Sequence, residues 1–173
     1  MTTHYDPKST LPHHNSEAAA ARAWAEERAR LLYDGKAVAH RSCGVAIAEA
    51  FGRDGRPYVG LRRGGLTGEA TCGAIGAGVL VLGEVFGAED PASPSTPALV
   101  AAVQRYQALW QARVARGAST TVICNDLTGQ FEAFASPERH AFCTDLATEV
   151  AGCVAQVMVE MGVDVARLPP PSR

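Results

Sequence analysis

The chain has 173 residues, of which 47% are hydrophobic, which is enough for one packed core and too many for a disordered chain. Its net charge is −2, with 16 basic and 18 acidic residues interspersed. Aromatic residues make up only 6%, so neither a basic nucleic-acid surface nor a base-stacking platform is expected.

The first 15 residues are polar and read as a flexible N-terminal tail, with no apolar stretch of the kind a secretory signal carries. The longest apolar run, about Cys72 to Gly83, is too short for a membrane span and is closed by Glu84. A cytoplasmic protein without nucleic-acid or membrane partners is the resulting expectation. Residues 16–163 are read as one helical domain, and residues 164–173, with Pro169-Pro170-Pro171, as a C-terminal tail.

Within the domain, Ser16 is a candidate N-cap and Glu17 an acidic first-turn residue. An Ala-rich helix is expected from Glu17 to Leu32, with Trp24, Leu31 and Leu32 facing the core and Gly35 ending it. A second helix is expected from Ala39 to Phe51, where Cys43, Ile47, Ala50 and Phe51 share a face. Residues 52–68 are glycine-rich, contain Arg62-Arg63-Gly64-Gly65, and read as a loop. Thr67 or Gly68 should open a third helix reaching Phe86. Its Gly73, Gly76, Gly78 and Gly83 weaken it by about 1 kcal/mol each relative to alanine. So many glycines suggest the close approach of another backbone or of a cofactor.

A linker with three prolines covers residues 88–97. A fourth helix is expected from Ala98 to Arg116, with Val100, Val103, Tyr106, Leu109 and Trp110 apolar. Thr120 to Cys124 is β-branched and suits a short extended piece, followed by a single turn at Asn125–Gly129. Pro137, after Ser136 as N-cap, should open a last helix running to about Met161. The reading is an all-α bundle of about five helices around a glycine-rich central helix.

The five cysteines are Cys43, Cys72, Cys124, Cys143 and Cys153, and no two form a C-x-x-C pair. That argues against a zinc ribbon, a thioredoxin-type site and covalent haem attachment. In a reducing compartment they should stay free rather than form structural disulfides. The first four lie 29, 52 and 19 positions apart, each on a different expected element. Cys72 should lie near the start of the glycine-rich helix, where backbone amides lower a thiol's pKa. Cys143 and Cys153 are separated by about 15 Å and about 80° on a continuous helix. They are therefore not joint ligands of one small centre, and Cys153 is assigned to the core. Buried packing is the competing role for every one of these cysteines, since free cysteine behaves as a small hydrophobe.

These residues resemble the redox-active protein family named for its C_GCAxxG_C_C cysteine pattern. The resemblance rests on Leu32-Tyr33-Asp34-Gly35 ahead of Ser42-Cys43-Gly44-Val45-Ala46, then Gly64-Gly65, then Gly68-Glu69-Ala70-Thr71-Cys72-Gly73-Ala74. It continues through Cys124-Asn125-Asp126-Leu127-Thr128-Gly129 and ends at Cys143. Departures are the inserted Ala70, a long gap between Tyr33 and Cys43, Gly44 where alanine is usual, and the extra Cys153. The resemblance implies a helical domain with a redox role. A similar domain in split-Soret cytochromes is associated with an iron–sulfur cluster. By that similarity Cys43, Cys72, Cys124 and Cys143 are candidate ligands of a 2Fe-2S or 4Fe-4S cluster, and four thiolates equally suit zinc.

His40 and His140 each precede a key cysteine by three residues and are weighed as extra ligands or partners of a nearby sulfur. Glu69 is weighed as a partner of the Cys72 site, and Arg62 and Arg63 as an anion or partner contact. Three functions compete. The first is a cluster-bearing electron-transfer protein with an unidentified redox partner protein. The second is a thiol–disulfide enzyme using Cys72 as a low-pKa nucleophile. The third is a cysteine-ligated zinc or metal protein. Pairing of the small-residue helix with its twin would give a homodimer.

Overall fold

The computed structural model of the protein describes residues 12–168, so the expected tail falls largely outside the described residues. The architecture is all-α. Six α-helices follow in order: α1 (Pro12–Asp34), α2 (Cys43–Ala50), α3 (Gly73–Phe86), α4 (Pro97–Arg113), α5 (Cys124–Thr128) and α6 (Pro137–Glu160). A short 3-10 helix, Arg56–Leu61, lies between α2 and α3, and another, Val165–Arg167, follows α6.

The helix starts show which local signals prevailed. α4 begins with Pro97 in its first turn after Thr96, whose hydroxyl accepts the Leu99 amide at 3.0 Å. α6 begins in the same way: Pro137 follows Ser136, whose Oγ accepts from the Arg139 amide at 3.2 Å. α1 starts at Pro12 rather than Ser16, with proline in a position where its missing N–H costs nothing. α2 starts at Cys43, four residues later than expected. Ser42 is extended, and the Arg41 amide is held by the Leu32 carbonyl at 2.8 Å, tying this segment to the end of α1.

α3 also starts late, at Gly73, with Cys72 as its N-cap. The preceding loop cannot join a right-handed helix, because Arg63, Gly64, Gly65, Leu66 and Gly68 have φ of 49°, 54°, 71°, 70° and 84°. Arg63 and Leu66 adopt this conformation without glycine's freedom, which costs of order 1 kcal/mol or more each. The expected loop over 52–68 is thus a 3-10 helix followed by a left-handed turn. α4 ends at Arg113, and Val114 leaves the helix to bury itself. At the far end, Val165 is buried, so residues 164–168 belong to the packed domain and not to a tail.

The core is built on close helix packing. Ala21, Ala25 and Ala29 of α1 and Ala147, Ala151 and Ala155 of α6 are all buried, and both sets recur every four residues. Two stripes of this spacing let the helix backbones approach closely, and α1 packs along most of α6. Gly152 extends that contact, since a Cβ there would stand 2.4 Å from the Glu26 carboxylate. Leu31, assigned to the core from sequence, is 41% exposed, while Leu32 and Tyr33 turn inward.

α6 is buried nearly all round from Thr144 to Met158. It is long and apolar enough to cross a membrane, yet 72% of its apolar window is covered by the other helices, as befits a core helix. Thr144 and Thr148 satisfy their hydroxyls on the carbonyls of His140 and Thr144, at 2.8 and 2.7 Å. α3 packs between α2, α4 and α6. Its glycines admit specific neighbours. A Cβ on Gly73 would meet the Leu61 carbonyl at 2.2 Å, and one on Gly78 the Tyr106 hydroxyl at 2.3 Å.

Candidate functional site

The extended piece expected at Thr120–Cys124 does one thing of consequence. Among the described residues it makes a single antiparallel bridge, Thr71 to Ile123. The Cys72 amide donates to the Val122 carbonyl at 2.7 Å, the Cys124 amide to Ala70 at 3.0 Å, and the Asn125 amide to Gly68 at 2.8 Å. Two segments 52 positions apart are thereby zipped together, and Cys72 is placed beside Cys124. Gly64 completes the junction: a Cβ there would fall 2.6 Å from both the Ala70 carbonyl and the Cys124 Cβ.

α2 brings Cys43 from the opposite side. Its sulfur lies 2.7 Å from the point where a Gly73 side chain would begin. Cys143, in the second turn of α6, closes the set. All four thiols line one cavity of about 450 Å³. Its walls are apolar at Leu66, Leu127, Phe134 and Leu146 and basic at Arg62, Arg63 and Arg139. Cys153 does not line it. Cys153 is fully buried in the core, ten residues further along an unbroken α6.

Three of the four cysteines sit at helix starts: Cys43 and Cys124 as first residues, Cys72 as N-cap. Amides therefore point at sulfur. The Cys43 thiol is stabilised as thiolate by the amides of Gly44, Arg63 and Ala74, and Cys72 by those of Ile75 and Ala74. Burial nevertheless prevails at every site. It raises Cys43 and Cys143, pushes Cys124 up to about 11, and lifts Cys72 far above the usual thiol range. The thiols add to one another's cost, because Cys43 and Cys143 both raise Cys72 and Cys124. Opposing this, Arg63 and Arg139 favour the thiolate of Cys124, and Arg139 also that of Cys143.

The expectation of an amide-lowered Cys72 thiol is therefore overturned, because desolvation outweighs the helix start. In the metal-free protein, Cys72 and Cys124 should alkylate with iodoacetamide at neutral pH more slowly than in the denatured chain. The thiolate is the reacting form, and Cys124 should accelerate only as pH climbs toward 11. Mass spectrometry of labelled peptides reads this directly; a fast-labelling Cys72 would contradict it. The linkage has a definite sign. The unfolded chain ionises its thiols from about pH 8.5, before the fold does. Metal-free stability is thus full below that pH and falls as pH rises beyond it.

Tyr33 belongs to the site although sequence reasoning gave it no role there. Its buried phenol is hydrogen-bonded to Cys143, and burial first, then the Cys143 and Cys43 thiols, hold its pKa high. His40 meets the Tyr33 ring edge-on at 4.8 Å, and His140 stacks on it at 5.5 Å. The His40 ring is hydrogen-bonded to the Tyr33 carbonyl, and His140 Nε2 lies 3.1 Å from the Asp34 carbonyl. Both histidines thus frame Tyr33, and His40, lying before α2, shares no helix face with Cys43. Glu69 is exposed, precedes α3 and does not line the cavity. Arg139 was also missed, though a signal existed: it lies four residues before Cys143, one turn away on the same helix face.

Among the described residues no three His, Cys, Asp or Glu side chains converge closely enough to hold a single metal ion. No curated protein and no solved structure matches the chain. A family model does, over residues 37–157, a stretch that holds all five cysteines. Its description is "Putative redox-active protein (C_GCAxxG_C_C)". The chain whose four cysteines line this cavity belongs to that redox-active family.

Proposed function

We propose that Cys43, Cys72, Cys124 and Cys143 hold one iron–sulfur cluster and that the protein passes electrons to and from a partner protein. The observation that carries this reading is the gathering of four thiols from four separate segments on one cavity, with the fifth sealed away in the core. The donor chemistry fits such a group. Four thiols suit a two-iron or four-iron cluster, and N–H groups at the sulfurs together with burial are the features that set its potential. Several buried thiolates side by side are unfavourable by themselves, and a bound cationic centre is what deprotonates such a set outright.

When bound, a cluster of this kind supplies a one-electron couple. The chain's own groups do the rest. The amides of Gly44, Arg63 and Ala74 face Cys43, the Tyr33 hydroxyl is bonded to Cys143, and the buried Leu127 and Leu146 give the sulfurs an apolar wall. The thiol–disulfide alternative loses its main support with the raised Cys72 thiol.

The test is an ultraviolet–visible spectrum with iron and sulfide analysis on protein purified without oxygen. About two or four irons per chain are expected, with matching sulfide and broad visible absorption. Cys72→Ala should lose both metal and colour, while Cys153→Ala should keep them. Colourless, iron-free protein after attempted reconstitution would sink the cluster, and stoichiometric zinc would replace it with a structural metal.

A further inference from the structure

The cavity grades from a buried thiol floor to a charged rim. Cys72 and Cys124 are buried, whereas Phe134 is 45% and Leu66 61% exposed beside exposed Arg62 and Arg63. Three arginines line this mouth and no aspartate or glutamate does. Arg22, Arg30, Arg41, Arg53, Arg56, Arg105 and Arg167 each have a carboxylate within ion-pair distance, whereas among the described residues Arg62, Arg63 and Arg139 at this mouth have none.

The rim guanidiniums are also held in place. Arg63 lies over the Phe134 ring at 4.9 Å and Arg139 over the same ring at 4.3 Å. Arg139 Nε donates to the Phe134 carbonyl at 2.5 Å. The Arg63 backbone is fixed in the left-handed turn that precedes α3. Part of this charge serves the thiols, since Arg63 and Arg139 offset Cys124 and Arg139 is bonded to Cys143. Arg62 is exposed and lines the same mouth, so a third guanidinium stands at the entrance beside Arg63 and Arg139.

We propose that this mouth binds the carboxylate or phosphate of a small molecule, with Arg62 and Arg139 as its main contacts and Phe134 and Leu66 against its apolar part. Guanidinium forks match both oxyanions. The outer part of the cavity, away from the thiols, sets the apolar Phe134 and Leu66 beside convergent guanidiniums, the usual composition of small-ligand sites. A small ligand is favoured over a docked protein because the guanidiniums rim a concave cavity. The site goes beyond the electron-transfer reading: stacking and backbone geometry place the guanidiniums, whatever the thiols hold.

Isothermal titration calorimetry on the full chain, with inorganic phosphate and with benzoate as separate probes, tests the proposal and tells the two oxyanions apart. Saturable one-site binding of at least one probe is expected, weakened about tenfold or more by Arg62→Gln and by Arg139→Gln. Arg56→Gln, which alters an exposed arginine outside the cavity, should leave binding unchanged. If Arg139→Gln fails to fold, the exposed Arg62 still decides. Failure of both probes to saturate, or binding indifferent to Arg62→Gln, overturns the site. So does arginine-dependent binding of a polyglutamate peptide when neither small probe binds, since the face would then dock proteins. Iron content of the same samples separates any failure here from failure of the cluster reading.

Discussion

Gly73→Ala is expected to cost the protein part of its stability and, on the cluster reading proposed above, its iron. The added Cβ would lie 2.2 Å from the Leu61 carbonyl oxygen and 2.7 Å from the Cys43 sulfur. The first of these is backbone, so no side-chain rotation relieves it. Either the 3-10 helix Arg56–Leu61 moves away from α3, or α3 shifts against α2. Both movements displace Cys43 relative to Cys72, which adjoins Gly73. Overpacking of this kind costs about 1–3 kcal/mol, and for a domain of this size each kcal/mol lowers the melting temperature by about 2–4 °C. Thermal melting monitored by circular dichroism should fall by about 5–10 °C, and iron per chain should drop severalfold. A variant that keeps full iron and wild-type melting would show that Leu61, Gly73 and Cys43 do not meet as described.

The second large effect is expected at Gly78, away from the thiols. There a Cβ would stand 2.3 Å from the Tyr106 hydroxyl and 2.5 Å from its ring. Tyr106 is fully buried and donates to the Ile75 carbonyl at 3.0 Å, so it has no free space to swing into. Gly78→Ala should destabilise by about 2–3 kcal/mol, near the top of the overpacking range, and Gly78→Val by more. Tyr106→Leu alone opens a cavity and also costs several kcal/mol. Combined with Gly78→Ala the two costs should be sub-additive, because the alanine methyl then fills space that the ring vacated. Denaturant unfolding of the four proteins in this cycle measures the coupling, and strict additivity would contradict the fit. Cys153→Ala and the Gly78 variants share one further expectation: iron content per folded chain should stay near wild type, since neither position touches the cavity.

The contrast between these two glycines explains why the small-residue run in α3 was readable and yet underdetermined. Its composition signalled close approach, and close approach is what occurs. Whether the neighbour was a cofactor, a carbonyl or a tyrosine ring was not encoded locally. Leu61 and Tyr106 reach α3 from two other elements, the 3-10 helix Arg56–Leu61 and α4.

Helix boundaries divide along the same line. α6 begins where Ser136-Pro137 says it should, and α4 takes in Pro97, expected as the end of the linker, because a capping hydroxyl and a proline with preset φ act on the residues beside them. α3 begins five or six residues later than its apolar pattern suggests. The cause is a left-handed turn that includes Arg63 and Leu66, and neither residue type advertises that conformation. Leu31 and Val100 look like core and are 41% and 45% exposed, since the alanine stripes of α1 and α6 and the Tyr106 face of α4 claimed the interior.

The all-α class, the cap of α6 and the separation of Cys153 from Cys143, which follows from helical rise and rotation alone, were legible in the chain itself. It also carried the family pattern, which lies in the order and immediate neighbours of the cysteines. Only the tertiary structure decided that Cys43, Cys72, Cys124 and Cys143 line one cavity. That convergence depends on the Thr71–Ile123 bridge, on Gly64 and Gly73 admitting backbone and sulfur at close range, and on α6 reaching the end of α2. The tertiary structure also decided the protonation of the thiols: helix starts are local and favour the thiolate, burial is a property of the whole fold, and at Cys72 burial is the larger effect.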